Sequence, residues 1–184
     1  NNGLALFHPE KKIFTVFRKN MNPGSLRSNI ITTIREVNDQ IWFGTVAGIA
    51  VLEEQYGITD APEKVVFKHM LASDAQSGLS HPLINSIFQD QYKNAWVGTL
   101  GGGLNFLGNR TSYFNTIIHS ATKSTDNLSN KCVRGLCFDA SNQLWIGTEG
   151  GGIDIFNNGV KVRNYSMENS TIPDNRILSI FKDS

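Results

Sequence analysis

A hairpin-like pattern recurs along the chain, and this repetition constrains the fold more than any other feature of the sequence. In its clearest copy, residues 144–156, an apolar run with Trp145 ends in Gly147-Thr148, and a glycine turn leads to a second apolar run. Two apolar runs joined by a glycine turn predict two antiparallel strands. Related copies occupy 95–107 and 41–52. Recurrence of one such unit predicts a repeat architecture in which neighbouring units stack.

Further apolar runs surround each hairpin. The run before the hairpin opens at Leu26, Leu79, Leu128 and Ile172, so that successive units are about 44 to 53 residues long. A run after the hairpin follows at 65–67, 113–118 and 160–165. Four strands in a unit of this length predict a β-propeller blade. Each blade packs on both faces, which accounts for strands that are apolar on both sides.

The repeat phase divides the chain into complete and partial blades. Complete blades are predicted at 26–78, 79–127 and 128–171. Residues 1–25 match the last two strands of a preceding blade, and 172–184 are predicted to hold the first strand of a following one. We therefore expect an all-β chain that forms a β-propeller fragment of four-stranded antiparallel blades. Propellers close with about 4–8 blades, so we expect a longer protein or another copy to complete the ring.

The order of residues within these units resembles the two-component regulator propeller repeat. The resemblance is carried by Leu128-Ser129-Asn130, by Leu-Trp-Ile-Gly-Thr at 144–148 and by Gly151-Gly152-Ile153, and it extends over three successive units. The unit at 26–78 departs most, because its turn Val46-Ala47-Gly48 is one residue shorter and lacks the double glycine.

Proteins with this repeat are similar to the periplasmic sensor regions of hybrid two-component histidine kinases, which lie in the inner membrane and regulate transcription. In gut bacteria many such sensors detect oligosaccharides and control glycan-utilisation genes. The resemblance implies that this chain is a periplasmic, non-enzymatic sensor segment. It also implies that the membrane helix and the kinase belong to other parts of the parent protein.

Charge and residue spacing disfavour several other functions. The 17 basic and 16 acidic residues nearly cancel, which gives no support to nucleic-acid binding or to attraction by an acidic membrane surface. The four histidines lack the spacing of metal ligands, and the chain has no phosphate-binding loop or nucleophile elbow. Asp90 and Asp139 recur at equivalent places and are interpreted as turn residues. We therefore predict no catalytic residue, no metal site and no cofactor in this segment.

Residues that recur in every unit are interpreted as structural. Trp42, Trp96 and Trp145 are able to stack on sugars, but their recurrence at one register favours packing. Candidate ligand-binding residues are instead those that break the pattern near the openings and hairpin turns, namely Arg27, His81, Lys131, Arg134, Glu149 and Arg176. Variation at such positions fits a ligand surface, and it also fits drift on a solvated face.

The sequence leaves three functions open. The first is sensing of a ligand, which the resemblance implies is an oligosaccharide. The second is a scaffold propeller that binds protein or mediates receptor dimerisation, through open blade edges at Leu4-Ala5-Leu6 and 177–180. The third, less favoured, is a propeller lyase or hydrolase with acid–base groups from other blades.

Overall fold

The chain is built from antiparallel β-strands. A computed structural model describes residues 2–52, 65–73, 78–110, 114–119 and 127–183, and these residues form fourteen strands and no helix. Within those ranges no helix is therefore long and apolar enough to cross a membrane. The strands are β1 Leu4–His8, β2 Ile13–Phe17, β3 Ile31–Val37, β4 Gln40–Thr45, β5 Gly48–Leu52, β6 Phe67–Met70, β7 Ile84–Gln89, β8 Ala95–Thr99, β9 Leu104–Leu107, β10 Phe114–Ile117, β11 Val133–Phe138, β12 Leu144–Thr148, β13 Ile153–Asn157 and β14 Val160–Tyr165.

The strands are grouped into sheets in the order of the chain. Each of three sheets contains four antiparallel strands, and we name them blade one (β3–β6), blade two (β7–β10) and blade three (β11–β14). Strands β1 and β2 pair as a separate two-stranded sheet, the leading hairpin. The predicted fold class, a β-propeller fragment of four-stranded antiparallel blades, is therefore confirmed.

Two outer strands differ in position from the apolar runs that predicted them. Strand β6 begins at Phe67, at the end of the predicted run 65–67, and continues to Met70 through the polar residues Lys68 and His69. The predicted beginning of another outer strand at 113 lies outside the described residues. An outer strand pairs on one edge only and is less buried, so apolar residues mark its limits poorly.

The hydrophobic core lies between the blades. One cluster joins Trp42 and Val51 of blade one to Ile84 and Val97 of blade two. A second joins blades two and three, and a third joins the leading hairpin to blade one. Because both faces of a blade are covered, every residue of β5 is buried. This layered burial is the reason why the sequence lacks a clean alternation of apolar and polar residues.

The first strand of each blade carries a β-bulge. The ladder skips one residue near the start of β3, β7 and β11, and the extra residues are Thr32, Asn85 and Arg134. A bulge leaves its extra residue outside the regular pairing and re-aims its side chain. These are the equivalent positions that vary most between units, and the pattern of apolar residues alone did not reveal the bulge.

The recurring tryptophans are held by packing and by hydrogen bonds. In blades two and three the indole Nε1–H donates to the carboxylates of Asp90 at 3.0 Å and Asp139 at 2.9 Å. The other oxygen of each carboxylate accepts backbone N–H groups of its own turn. Trp42 of blade one is buried and donates to Gln40 at 3.4 Å. These contacts confirm the interpretation of both aspartates as turn residues and give each tryptophan a structural role.

The segment 172–184 differs from the prediction of a first strand. Within its described part, Arg176 forms one bridge with Glu149, and no strand is assigned. Its side chains instead cover blade three, and a Cβ added at Gly147 would lie 2.7 Å from Ile177. A strand needs a neighbour in its own sheet, and the described residues place none beside this segment.

Association through the predicted edges at Leu4-Ala5-Leu6 and 177–180 stays a prediction. Leu4 and Leu6 line a small apolar cavity of about 150 Å³ against blade one, and Ile177 packs on blade three. Leu178 of the predicted edge is exposed, and further exposed apolar side chains lie beside the two edges: Phe7, Phe14 and Val16 on the leading hairpin, and Phe181 near the other end. Alternation along an extended chain turns successive side chains to opposite faces, so a run of neighbours cannot all face one partner.

Candidate functional site

Opening loops and hairpin turns meet at one end of the blades, which we call the loop face. The first strand of each blade starts at this end and the second strand ends there, because consecutive strands are antiparallel. The loop face comprises the opening loops 26–30, 79–83, 128–132 and 172–176, together with the hairpin turns 46–47, 100–103 and 149–152. All six residues predicted as ligand-binding candidates lie on or beside it.

A repeated hydrogen bond joins each hairpin turn to the opening loop of the next blade. A glycine N–H donates to a backbone carbonyl in four successive places: Gly3 to Asn29 (3.0 Å), Gly48 to Pro82 (2.8 Å), Gly103 to Lys131 (2.9 Å) and Gly152 to Asn175 (2.8 Å). The four glycines have positive φ angles between 75° and 97°. A positive φ is readily accessible only to glycine, so the recurrence of glycine at these positions has a direct structural cause.

Blades two and three fix their opening loops through a buried polar side chain. In blade two, Asn105 accepts from the backbone N–H of Ser80 at 2.9 Å and donates to its hydroxyl at 2.9 Å. In blade three, Asp154 accepts from the backbone N–H of Ser129 at 2.7 Å and from its hydroxyl at 2.6 Å.

Blade one lacks this contact. The positions equivalent to the serine and to its buried partner are held by Arg27 and Ala50. The alanine side chain has no polar group that could hold position 27. Arg27 is exposed and extends along the loop face.

His81 has a structural role in its loop. Its Nδ1 accepts the backbone N–H of Leu83 at 3.1 Å. The same bond, to the N–H two residues later, is made at the equivalent position of the other units by Ser28 (3.0 Å), Asn130 (2.8 Å) and Asp174 (2.8 Å). Serine, asparagine and aspartate commonly stabilise turns in this way. The histidine that stood out in sequence is therefore a substitute turn former.

Three of the other candidates come together in space. The guanidinium groups of Arg134 and Arg176 both donate to the carboxylate of Glu149. Arg134 occupies the bulge of β11, Glu149 follows β12, and Arg176 belongs to the next opening loop. The cluster ties blade three to that loop. Lys131 takes no part in it, since its backbone carbonyl accepts from Gly103 and its side chain is exposed.

A cavity at the loop face lies beside blade one and has a volume of about 720 Å³. It is lined by residues from the segments 19–27, 46–47 and 71–72 and by Pro82 of blade two. We call it the blade-one cavity. Of the six predicted residues, only Arg27 lines it. Ligand pockets commonly measure about 300–1,000 Å³, so this cavity is large enough for a small ligand.

The loop that forms one wall of this cavity is held by its own hydrogen bonds. Asn20 Oδ1 accepts the N–H of Asn22 at 2.8 Å, and Asn22 Oδ1 accepts the N–H of Gly24 at 2.9 Å. The hydroxyl of Ser25 accepts the N–H of Asn20 at 3.2 Å. These bonds order a turn-rich segment without consuming the amide N–H₂ groups of the two asparagines. The wall is therefore pre-organised and keeps donors for a ligand.

The charge of Arg27 acts on a neighbouring histidine. His69 of β6 donates from Nε2–H to the carbonyl of Ser25 at 3.0 Å. Burial lowers the pKa of His69, the hydrogen bond to Ser25 raises it, and the positive charge of Arg27 lowers it again, so that the pKa lies below its usual value. This imidazole is therefore less readily protonated than an ordinary histidine.

Sequence reasoning missed most of the residues that form the blade-one cavity. Lys19 and Asn20 precede the repeat unit, and Leu71 follows an outer strand, so none of them belongs to a recurring position. The sequence feature that could have indicated the position of the cavity was the short turn Val46-Ala47-Gly48. Its loss of one residue distinguishes blade one from the other two blades, and Val46 and Ala47 both line the cavity.

A second cavity lies between blades two and three, away from the loop face. It measures about 440 Å³, and aromatic side chains that include Trp96, Phe106 and Phe138 line it. Trp96 packs against Phe106 with ring centroids 4.5 Å apart and against Phe138 at 5.8 Å. These contacts cover much of the indole and continue the core between the blades. The described residues contain no cluster of three potential metal ligands at either cavity.

Comparison with known families agrees with this geometry. A family model described as the two component regulator propeller matches residues 78–101 and 127–150. Each match contains an opening loop, a first strand, a second strand and the start of the glycine turn. The chain carries two-component regulator propeller repeats. A comparison with curated proteins gives no match.

Solved structures share the fold of these repeats. An extracellular domain of a putative hybrid two component system from B. thetaiotaomicron matches 99% of this chain and 22% of its own, with 22% identity and a TM-score of 0.70. An extracellular domain of a putative one component system from the same bacterium matches 99% and 31%, with 19% identity and a TM-score of 0.65. PorZ, a surface component of the type-IX secretion system of Porphyromonas gingivalis, matches 96% and 26%, with 15% identity and a TM-score of 0.69.

These likenesses concern the propeller fold. The identities of 15 to 22% are too low to transfer a ligand from the solved proteins to this chain. The chain spans between 22 and 31% of the length of those solved chains. Its propeller repeats are thus comparable with a part of each solved chain.

Proposed function

We propose that this chain is the ligand-binding part of a periplasmic sensor, and that it binds an oligosaccharide in the blade-one cavity. The observation that carries the proposal is the position of the cavity. It opens on the loop face at the one blade whose turn and opening loop both depart from the repeat. Where the repeats agree, their side chains serve packing and turns, so a departure with a cavity beside it is the best place for recognition.

The composition of the cavity supports a sugar ligand. Its walls combine apolar surface from Val46, Leu71 and Pro82 with the amide groups of Asn20 and Asn22. A sugar presents both C–H faces and hydroxyl groups, and mixed linings of this kind supply contacts for both.

The family resemblance supports a cellular role for the parent protein. We propose that the parent protein is an inner-membrane hybrid histidine kinase, and that its periplasmic region controls transcription of glycan-utilisation genes. Two considerations support this role: the two-component regulator propeller repeats, and the fold shared with extracellular domains of a putative hybrid two component system. Ligand in the blade-one cavity would contact Pro82 of blade two as well as blade one, so binding would act on the junction of two blades.

Titration calorimetry on the natural protein that contains these residues tests the proposal. We expect heat of binding with at least one member of a panel of plant and host oligosaccharides. We expect Ala47→Trp to abolish that heat, because the indole would fill the cavity from its turn. Ala140→Trp is the matched control, because Ala140 is an exposed turn residue at the opposite end of blade three. Absence of binding to the whole panel, or unchanged affinity in Ala47→Trp, would reject the proposal.

A second candidate function, a scaffold that binds protein or a second copy, is favoured by a separate observation. Phe7, Phe14 and Val16 form an exposed apolar surface on the leading hairpin, and Leu178 and Phe181 are exposed near the other end of the chain. Contiguous exposed apolar surface commonly marks an interface with another protein or domain. The alternative of a lyase or hydrolase gains no support from the described residues.

A further inference from the structure

Among the described residues, the charged side chains of the blade-one cavity are all basic. Lys19 and Arg27 line it, and no described aspartate or glutamate does. A cavity with cationic groups and no carboxylate has a positive potential, which its low-dielectric walls strengthen. The nearly neutral balance of the whole chain conceals this local excess of positive charge.

Three basic residues of blade three and its next opening loop are paired with carboxylates, unlike these two. Arg134 and Arg176 share Glu149, and Lys161 lies 3.6 Å from the buried carboxylate of Asp154. Among the described residues, neither Lys19 nor Arg27 has an ion-pair partner. No carboxylate of the described residues therefore competes with an anion for either cation.

The local architecture of blade one explains why Arg27 faces the cavity. Serine occupies this place in blades two and three and is held by a buried Asn105 or Asp154. In blade one the buried partner is Ala50, so the position is released from that contact. Two changes at positions that would otherwise touch each other, Arg27 and Ala50, thus combine to place a guanidinium beside the cavity.

We infer that the oligosaccharide bound by the blade-one cavity is acidic, with a carboxylate or sulfate group held by Arg27 and Lys19. The inference rests on the proposed function and specifies the class of its ligand. Guanidinium groups form paired, charge-assisted hydrogen bonds with carboxylate and sulfate oxygens, and an ammonium adds a point charge. The amide groups of Asn20 and Asn22 contact the neutral hydroxyls.

Three tetrasaccharide probes distinguish the sources of charge. Galactotetraose is neutral, tetragalacturonate carries carboxylates, and a sulfated galactan tetrasaccharide carries sulfates. Calorimetry on the natural protein is expected to give binding with at least one acidic probe that is tenfold or more tighter than with galactotetraose. The affinity for the acidic probe should fall as salt is raised from 50 to 500 mM, because salt screens partly exposed charges.

Variants identify the groups responsible. We expect Arg27→Gln and Lys19→Gln each to weaken the affinity for the acidic probe about tenfold. Any affinity for the neutral probe should change by no more than about twofold. Lys11→Gln is the matched control, because it removes one positive charge from the exposed turn of the leading hairpin, outside the cavity lining. Arg27→Gln should also raise the pKa of His69, followed by the NMR shift of its imidazole, since the charge of Arg27 is one cause that lowers it.

The outcomes separate this inference from the proposed function. If galactotetraose or another neutral sugar binds as tightly as the acidic probes, the inference is wrong and the proposed function stands. If acidic probes bind but both variants retain full affinity, Arg27 and Lys19 do not hold the acidic group, and the inference is wrong. If no probe and no member of the wider panel binds, the proposed function fails and the inference fails with it.

Discussion

Asp154 shows how a single residue secures a whole loop. Its side chain has 0% solvent exposure. Its carboxylate accepts from the backbone and hydroxyl of Ser129, accepts from Asn164 Nδ2 at 3.0 Å, and lies 3.6 Å from Lys161 Nζ. A buried carboxylate is tolerated only when such partners replace its hydration. The cluster therefore fixes the opening loop of blade three to the third strand of the same blade.

The buried carboxylate of Asp154 is expected to contribute strongly to stability. Asp154→Ala leaves Lys161 and the Ser129 hydroxyl without their partner, and we expect it to lower the free energy of unfolding by about 3–5 kcal/mol. Asp154→Asn is the matched control, because Asn105 makes the equivalent contacts in blade two, and its expected cost is about 1–2 kcal/mol. Urea unfolding followed by tryptophan fluorescence measures both. Equal costs for the two variants would show that the hydrogen bonds an asparagine can retain contribute nothing to the stabilisation.

Single residues also show where prediction from sequence succeeds and where it stops. Recurrence identified the structural roles of Asp139 and of the tryptophans, since a residue needed for packing appears in every unit. The same logic could not show that His81 also forms a turn, because its imidazole Nδ1 takes the place of the turn-forming oxygen of Asn130. It could not find the pairing of Glu149 with Arg134 and Arg176 either, which depends on three-dimensional proximity within blade three and across its boundary.

The glycine turn determines how one blade meets the next. Gly152 has a φ of +75°, and its N–H donates to Asn175 in the next opening loop. A Cβ added there would lie 2.0 Å from the carbonyl oxygen of Tyr165 on β14. Gly159, in the turn between β13 and β14, has a φ of +81°, but an added Cβ would have no heavy atom within 4 Å. The two glycines therefore separate backbone strain from steric contact.

Alanine is expected to destabilise the protein more at Gly152 than at Gly159. Gly159→Ala is expected to cost about 1–2 kcal/mol, which is the strain of a left-handed backbone conformation alone. Gly152→Ala should cost at least about 2 kcal/mol more, because it adds a clash that moves β14 or the next opening loop. The comparison of the two variants by urea unfolding measures the difference. If the two costs are alike, the close approach at Gly152 contributes nothing to stability.

Elements were predictable to the extent that they repeat. The hairpins of second and third strands follow the sequence closely, because Gly, Thr and buried apolar residues are required at fixed places in each blade. In each hairpin the threonine hydroxyl donates to the carbonyl of the closing glycine, as Thr45 does to Gly48 at 2.8 Å, and this bond persists in the shorter turn of blade one. The bulges at Asn85 and Arg134 were not predictable from the sequence, because a bulge depends on strand pairing. Since the first strand of every blade carries one, the bulge produces no difference in length between units.

At the scale of the molecule, stability is shared between neighbouring blades. The three core clusters each lie between adjacent sheets, and the glycine-to-carbonyl bonds join the same neighbours on the loop face. On the opposite end, Gln91 of blade two donates to Asn142 of blade three at 3.1 Å. An array of this kind gains most of its stability from nearest-neighbour interfaces. The surfaces that no described blade covers are consequently apolar.

The outer face of the leading hairpin is one of those surfaces, and it leads to the last prediction. Phe14 is 65% exposed and packs against Phe7 with ring centroids 4.9 Å apart and a tilt of 39° between the rings. We expect the 184-residue chain on its own to self-associate, because burying aromatic surface releases about 25 cal/mol per Å². Phe14→Lys should shift it towards the monomer, since a charge in the centre of the apolar surface would have to be desolvated. Tyr92→Lys is the control, because Tyr92 is 60% exposed but lies outside this surface. Sedimentation velocity between 1 and 100 μM measures the mass. A monomer at all concentrations would remove the support for the scaffold function, and an unchanged oligomer in Phe14→Lys would place the contact elsewhere.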